Sequence, residues 1–358
     1  ALGAQRVVLM STERPVTFTN RNGCRLFGML YLPEQSRGNG VGVVISVNAI
    51  KYRLGTFRLH VLLARKLCEL GYTVFTFDPE GIGDSEGQFE YKLLSEHYYD
   101  IQTGKYNNDL ADAIGFFCRE CSVDSLIMFG LCGGAISVLT AAASDPRVAG
   151  LILLNIPLLV EDLNKLGQAD ESTMITSRES ASGVLKEKMH RLVEWNFWRR
   201  FVRLEVNFKE EGRLVVRAIS VLAAKSWASL RSVLFGKDDA IDWSKPVSAH
   251  RLFNFHFQRA FATAMAKNKR ILFLFSEFDQ WTWIFKSEFQ DIVLVPGNRF
   301  ERACRIELIE GANHIFSGRE SQRKLEQRIV AWLTECFPGR VRSALAETVQ
   351  ELSSEEVK

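Results

Sequence analysis

The stretch Leu126 to Ala135, LIMFGLCGGA, constrains this chain more than any other. A short apolar run leads into Gly130-Leu131-Cys132-Gly133-Gly134, and residues 135–143 (AISVLTAAA) follow as a helix of small side chains. A buried strand that turns at once into a close-packed helix needs glycines. They let the turn close without Cβ clashes and let the helix lie tight on the strand. The middle side chain is then lifted above one edge of a parallel sheet. Here that side chain is a thiol.

The flanking sequence supplies the rest of such a sheet. Residues 16–32 alternate around Asn22-Gly23, which predicts a hairpin. Residues 41–47 (VGVVISV), 72–77 and 148–155 are continuous apolar runs, the pattern of strands buried on both faces. Helices are expected at 57–70 and 107–121, the latter with Leu110, Ala113, Ile114 and Phe117 on one face. The rhythm resumes with strands at 271–275 and 305–309 and a helix at 321–337, ended by Pro338-Gly339. The expected fold class is α/β, a doubly wound, mostly parallel sheet with an antiparallel edge and an inserted helical cap. The expected divisions are a first core part (1–155), a cap (156–268), a second core part (269–339) and a polar tail (340–358).

Bulk properties exclude several classes. At 358 residues, 47% hydrophobic and 24% charged, the chain is an ordinary globular sequence. A net charge of +3 gives no argument for nucleic acid. No run of 18 apolar residues predicts a transmembrane helix. The first residues lack the charged-then-apolar pattern of a signal peptide, and Met10 offers a start that would make 1–9 an extension. Seven scattered cysteines, odd in number, argue against a disulfide framework and for a reducing cytoplasm. Cys118-x-x-Cys121 has no second pair and no adjacent histidine, so packing is expected there rather than zinc or redox chemistry. Within the cap, residues 161–270 hold 20 Lys and Arg against 13 Asp and Glu, a local balance of +7 that leaves −4 for the rest.

Three motifs in order carry a resemblance: GLCGG (130–134), SEFD (276–279) just after a strand, and EGANHIF (310–316) after the last strand. The chain resembles the α/β-hydrolase superfamily over about 20–155 and 270–337, where nucleophile, acid and histidine follow in that order. Within it, NAIKYRLGTFRLHVLLARKL (48–67), FDPEGIGDSEG (77–87) and GLCGGA look like the hydrolases associated with exosortase protein-sorting systems, which also carry a cysteine at this turn.

The resemblance implies Cys132 as nucleophile, His314 as general base and acid, and Asp279 as the carboxylate that orients the ring, with Glu277 its nearest competitor. A thiol attacks as thiolate and so needs a base beside it. Of the other histidines, His60 falls in an expected helix, His190, His250 and His256 in the cap, and His97 in a loop. The oxyanion hole is expected from the Gly133 N–H and a second donor among Asn48, Ala49 and Ile50, with Ala49 preferred. The family's His-Gly dipeptide is missing from that loop, which leaves the second donor open. Lys51, Tyr52 and Arg53 are expected at the pocket mouth, as an anion-holding group or as solvated charges.

Asp78, Glu80, Asp84 and Glu86 are expected to serve a tight turn, not a metal. The segment 190–206, HRLVEWNFWRRFVRLEV, with Trp195 and Trp198, reads as an acyl tunnel with a cationic rim, as membrane-surface contact, or as a helix with one basic solvated face. The implied activity is acyl transfer to water, an esterase or thioesterase working through an acyl-thioenzyme. The alternatives are transfer to an alcohol or amine, and a non-catalytic ligand-binding member of the fold. No cofactor is implied. The expected substrate is a small-molecule or carrier-bound acyl group, such as an acyl-CoA or an acyl carrier protein.

Overall fold

A computed structural model describes residues 12–34, 40–47, 52–160, 241–294 and 300–337. Its strands are β1 (Thr12–Thr19), β2 (Arg25–Leu32), β3 (Val41–Ser46), β4 (Thr73–Phe77), β5 (Ser125–Leu131), β6 (Val148–Leu154), β7 (Arg270–Phe278) and β8 (Cys304–Asn313). They form one sheet in the order β1-β2-β4-β3-β5-β6-β7-β8. The first two pairings, β1–β2 and β2–β4, are antiparallel, and every later one is parallel. The apolar runs are the middle strands, and β3 is buried at all six positions. The described helices are α1 (Leu59–Glu69), α2 (Leu94–Thr103), α3 (Asn107–Cys121), α4 (Gly133–Ala142), α5 (Phe255–Ala266), α6 (Gln280–Phe285) and α7 (Arg319–Cys336).

The sheet's two faces are packed by different chemistry. On one, Val43, Ile45, Val74, Ile127, Phe129, Ile152 and Leu272 form a cluster with Leu63 and Leu67 of α1 and Leu325, Ile329 and Trp332 of α7. On the other, Phe75 stacks on Phe117 of α3 at 5.4 Å and on Phe77 at 5.7 Å. Alternation along β4 produces this division, since Val74 and Phe75 point to opposite faces. Each such fully buried side chain contributes about 1.5–3 kcal/mol relative to exposure.

The described residues fall into two compact units, one made of those up to 157 with 256–279 and 302–337, the other of 158–160, 241–255, 280–294 and 300–301. The division differs from the one expected from sequence at 268. Helix α5 joins the first unit from its second residue, because Phe257, Ala260, Phe261 and Ala264 are buried and Phe261 lies 6.4 Å from Phe273 of β7. Conversely, 280–301 belongs to the second unit, where α6 continues through a π-helical segment (Lys286–Gln290) into a last turn, Asp291–Val293. In that unit Leu159 bridges Phe253, Ser248 Oγ donates to Glu288 at 2.5 Å, and Trp243 meets Phe300 at 5.9 Å. Residues 161–240, most of the expected cap, lie outside the described residues.

The strand–helix turn depends on one close approach. A Cβ on Gly130 would lie 2.5 Å from the Gly134 carbonyl carbon and 2.7 Å from Ala135 Cα, both backbone atoms that cannot swing aside. Gly130→Ala is therefore expected to destabilise the fold by about 1–3 kcal/mol. Chemical denaturation checks this, and a loss below about 0.5 kcal/mol would mean that the turn can relax.

Candidate active site

Parallel strands deliver their C-terminal ends to one edge of the sheet, and the three expected residues stand on three of those ends. Cys132 follows β5 directly, with φ 54° and ψ −125°, a conformation L-residues seldom adopt. Its N–H donates to Leu154 O at 2.9 Å, and its carbonyl accepts from Ala135 N at 2.9 Å. Gly133 opens α4, so its N–H has no carbonyl four residues earlier in the helix to meet.

Asp279 and His314 are brought together by strand register. Phe278 of β7 pairs with Asn313 of β8, so each functional residue is the next one along its strand. Asp279 is 7% exposed, and its Oδ2 lies 2.6 Å from His314 Nδ1. Burial works against a charged imidazole here. The interactions with Asp279, held by its hydrogen bond, and with Cys132 outweigh it and push His314 up to about 10. Glu277, the competing carboxylate, instead accepts the Gly311 N–H at 2.8 Å.

All seven cysteines are free thiols. Burial pushes Cys118 and Cys336 up, Cys121 to about 11 and Cys304 to about 12, which holds them protonated at neutral pH.

Asn48, Ala49, Ile50, Trp195 and Trp198 lie outside the described residues. Arg53, expected at a pocket mouth, is instead committed to carboxylates. Its Nη1 meets Asp78 at 2.5 Å and Asp84 at 2.6 Å, its N–H donates to Asp78 at 2.6 Å, and its guanidinium sits 4.3 Å over the Phe27 ring. The acidic turn is consumed by similar contacts, since Glu80 accepts from Asn20 and Asn22 and Glu86 from Arg25. Among the described residues no group of three or more His, Cys, Asp or Glu could hold a metal.

His97 is not in a loop as expected but buried in α2, among Phe89, Tyr91 and Tyr106. His60 is fully buried in α1. Burial pushes it down to about 4, only partly opposed by the Arg53 backbone, so it stays neutral. A residue that motif reading passed over is Asn155, directly after β6. Its buried amide reaches both Ser276 and the His314 carbonyl, and a polar residue closing an apolar strand was its only signal in the sequence.

Among solved structures, an esterase of Pyrococcus furiosus superposes with a TM-score of 0.52 at 11% identity, over 91% of this chain and 92% of that one. The chain has the α/β-hydrolase fold. Residues 56–223 match the family described as serine aminopeptidase, S33. Over 139 residues the chain is 32% identical to a polyketide transferase of Penicillium sp., and over 145 residues 30% identical to an uncharacterized protein of Pseudomonas aeruginosa. These stretches are 38% and 39% of this chain, and the chain spans only 42% and 36% of the two relatives. The matched family is named for serine enzymes, whereas this chain carries cysteine where the motif places serine. No described helix is long and apolar enough to cross a membrane.

The Arg53–Asp78 pair gives a stability test. Burial raises Asp78, and Arg53 opposes the rise by hydrogen bonds and charge. Removing the cation strands a fully buried carboxylate. Arg53→Met is expected to cost about 3–5 kcal/mol at neutral pH. Because Asp78 would then be raised further above its unfolded value, the deficit should fade as pH falls through that raised value. Urea titrations at several pH values check the sign.

Proposed function

We propose that this chain is an acyl hydrolase of the esterase or thioesterase type, working through Cys132, His314 and Asp279. The observation that carries the reading is three side chains on strand ends of one sheet edge: a thiol on a positive-φ turn, and a histidine whose Nδ1 lies 2.6 Å from a nearly buried aspartate. A charged imidazole beside sulfur is the setting in which a thiolate nucleophile forms.

The sulfur attacks the acyl carbonyl, and the oxyanion is held by the Gly133 N–H with a second donor from the 48–50 loop, Ala49 preferred. The imidazolium gives its proton to the leaving oxygen or sulfur, and the acyl group remains on Cys132 as a thioester. Neutral His314 then takes a proton from water, which attacks the thioester and restores the thiol. Asp279 holds the ring and offsets its charge throughout. A thiolate leaves well, so thioesters and activated esters suit this site better than amides.

Acyl-CoA and acyl carrier protein are the proposed acyl donors, in keeping with the basic balance of 161–270. The seven free thiols favour a reducing cytoplasm. The likeness of 48–67 and 77–87 to exosortase-associated hydrolases supports that lineage. A second reading, transfer of the acyl group to an alcohol or amine, is favoured by the 32% identity to a polyketide transferase. The non-catalytic reading gains nothing from a sheet edge that carries a thiol, an imidazole and a carboxylate, with the last two 2.6 Å apart.

Incubation with p-nitrophenyl acetate and with acyl-CoAs, followed by mass spectrometry, is expected to place the acyl group on Cys132. Cys132→Ala should abolish the adduct, and His314→Ala should slow acylation by about 10²–10⁴-fold. A wild-type protein that neither acylates nor reacts with iodoacetamide at Cys132 sinks the proposal. Steady turnover in water supports the hydrolase, whereas a burst that resumes only on adding an alcohol or amine supports the transferase. Since His314 must be protonated to serve the leaving group, kcat/KM should fall as pH rises through about 10. Asp279→Asn removes a group that raises His314, so this alkaline limb should move to lower pH.

A further inference from the structure

Asn155 makes an unusual set of contacts for a residue outside the triad. It is 0% exposed and lies at φ 47°, in the left-handed region that asparagine tolerates better than most residues. Its N–H donates to Leu274 O at 2.8 Å. Its Oδ1 accepts the Ser276 N–H at 2.9 Å, while Nδ2 donates to Ser276 Oγ at 2.7 Å and to the His314 carbonyl at 3.0 Å. One side chain thus spans the end of β6, the strand that carries Asp279, and the turn that carries His314.

The position of these bonds matters. The β7–β8 register shifts between Ser276 and Phe278, so the regular ladder is interrupted just before the acid and the histidine. At that interruption, side chains replace ladder bonds. Asn155 holds Ser276 and the His314 carbonyl, and Glu277 holds the Gly311 N–H. Ser276 is three residues from Asp279, and the His314 carbonyl belongs to the catalytic residue itself. Loss of the amide would free the two strand ends to move relative to each other where a 2.6 Å contact has to be kept.

We propose that Asn155 is a positioning residue that fixes the His314 main chain against the acid-bearing strand, and so sets the Asp279–His314 distance. It touches neither substrate nor sulfur in this role. The inference rests on the catalytic reading of the Cys132–His314–Asp279 site.

Two variants separate positioning from simple structural support. Asn155→Gly removes the amide while suiting the left-handed backbone. Asn155→Asp keeps the shape and the acceptor for Ser276 N–H but sets an acceptor against the His314 carbonyl. Both are expected to lower kcat by about 10- to 100-fold with KM little changed, as for displaced catalytic groups. In Asn155→Gly the weakened Asp279 contact should also move the alkaline limb of kcat/KM to lower pH. The His314 ring titration, followed by ¹⁵N NMR and assigned with His314→Gln, should move with it.

A Gly variant that melts lower yet keeps the wild-type kcat and His314 titration overturns the proposal, leaving Asn155 a structural tie. If the Gly variant does not fold, the Asp variant decides, and an unchanged kcat overturns it. The ring titration needs no substrate. A wild-type protein without acylation would therefore sink the catalytic reading, while a His314 shift in the Gly variant would still report on positioning.

Discussion

The backbone at Cys132 is held at φ 54° and ψ −125°, and the arrangement of this edge of the sheet follows from what keeps it there. Such a conformation costs on the order of 1–3 kcal/mol and persists only where its surroundings over-determine it. Here the constraint comes from both sides. The Cys132 N–H is tied to Leu154 of β6 and its carbonyl to Ala135, while Gly130 lets β5 approach the start of α4 closely. Helix α4 is buried along most of its length, so it cannot rotate to relieve the turn without opening the core. Strain at one residue is thus borne by the middle of the sheet, where strands lie on both sides.

The same logic explains what could be read from sequence. Strands buried on both faces must be apolar throughout, and β3, β5, β6 and β7 announced themselves in that way. The α/β-hydrolase fold was legible because a parallel sheet needs such runs, separated by helices of one-sided apolarity. The placement of Cys132, Asp279 and His314 at strand ends was legible because each immediately follows a strand. Less visible was α2, whose interior holds Tyr98, Tyr99 and the buried His97, so its pattern resembles a polar loop. The start of α1 was also misread. Phe57 and Arg58 take left-handed φ values of 52° and 60° with no Gly or Asn there to signal a break.

Boundaries between units were the least legible feature. The face of α5 that carries Phe257 and Phe261 looks the same whether it meets a sheet or a cap, because apolar periodicity names a buried face and not its partner. Likewise 280–301 sits between two core strands in sequence, yet joins the other unit.

The clearest case of identical local sequence with different roles is a pair of Phe-Asp dipeptides, each closing a sheet strand. Phe77-Asp78 ends β4, and Phe278-Asp279 ends β7. Both aspartates are almost buried, at 0% and 7% exposure. What differs is the group that reaches them. Asp78 meets a guanidinium, which stays charged at any pH the fold survives, so the pair fixes a loop and carries no proton traffic. Asp279 meets an imidazole, whose charge can come and go, so the same carboxylate orients a ring that titrates. An aspartate at a strand end is therefore a site for whatever cation the topology brings to it. In this chain the bulged register of β7 and β8 brings a histidine, so this strand end holds a group that can exchange a proton where the end of β4 does not.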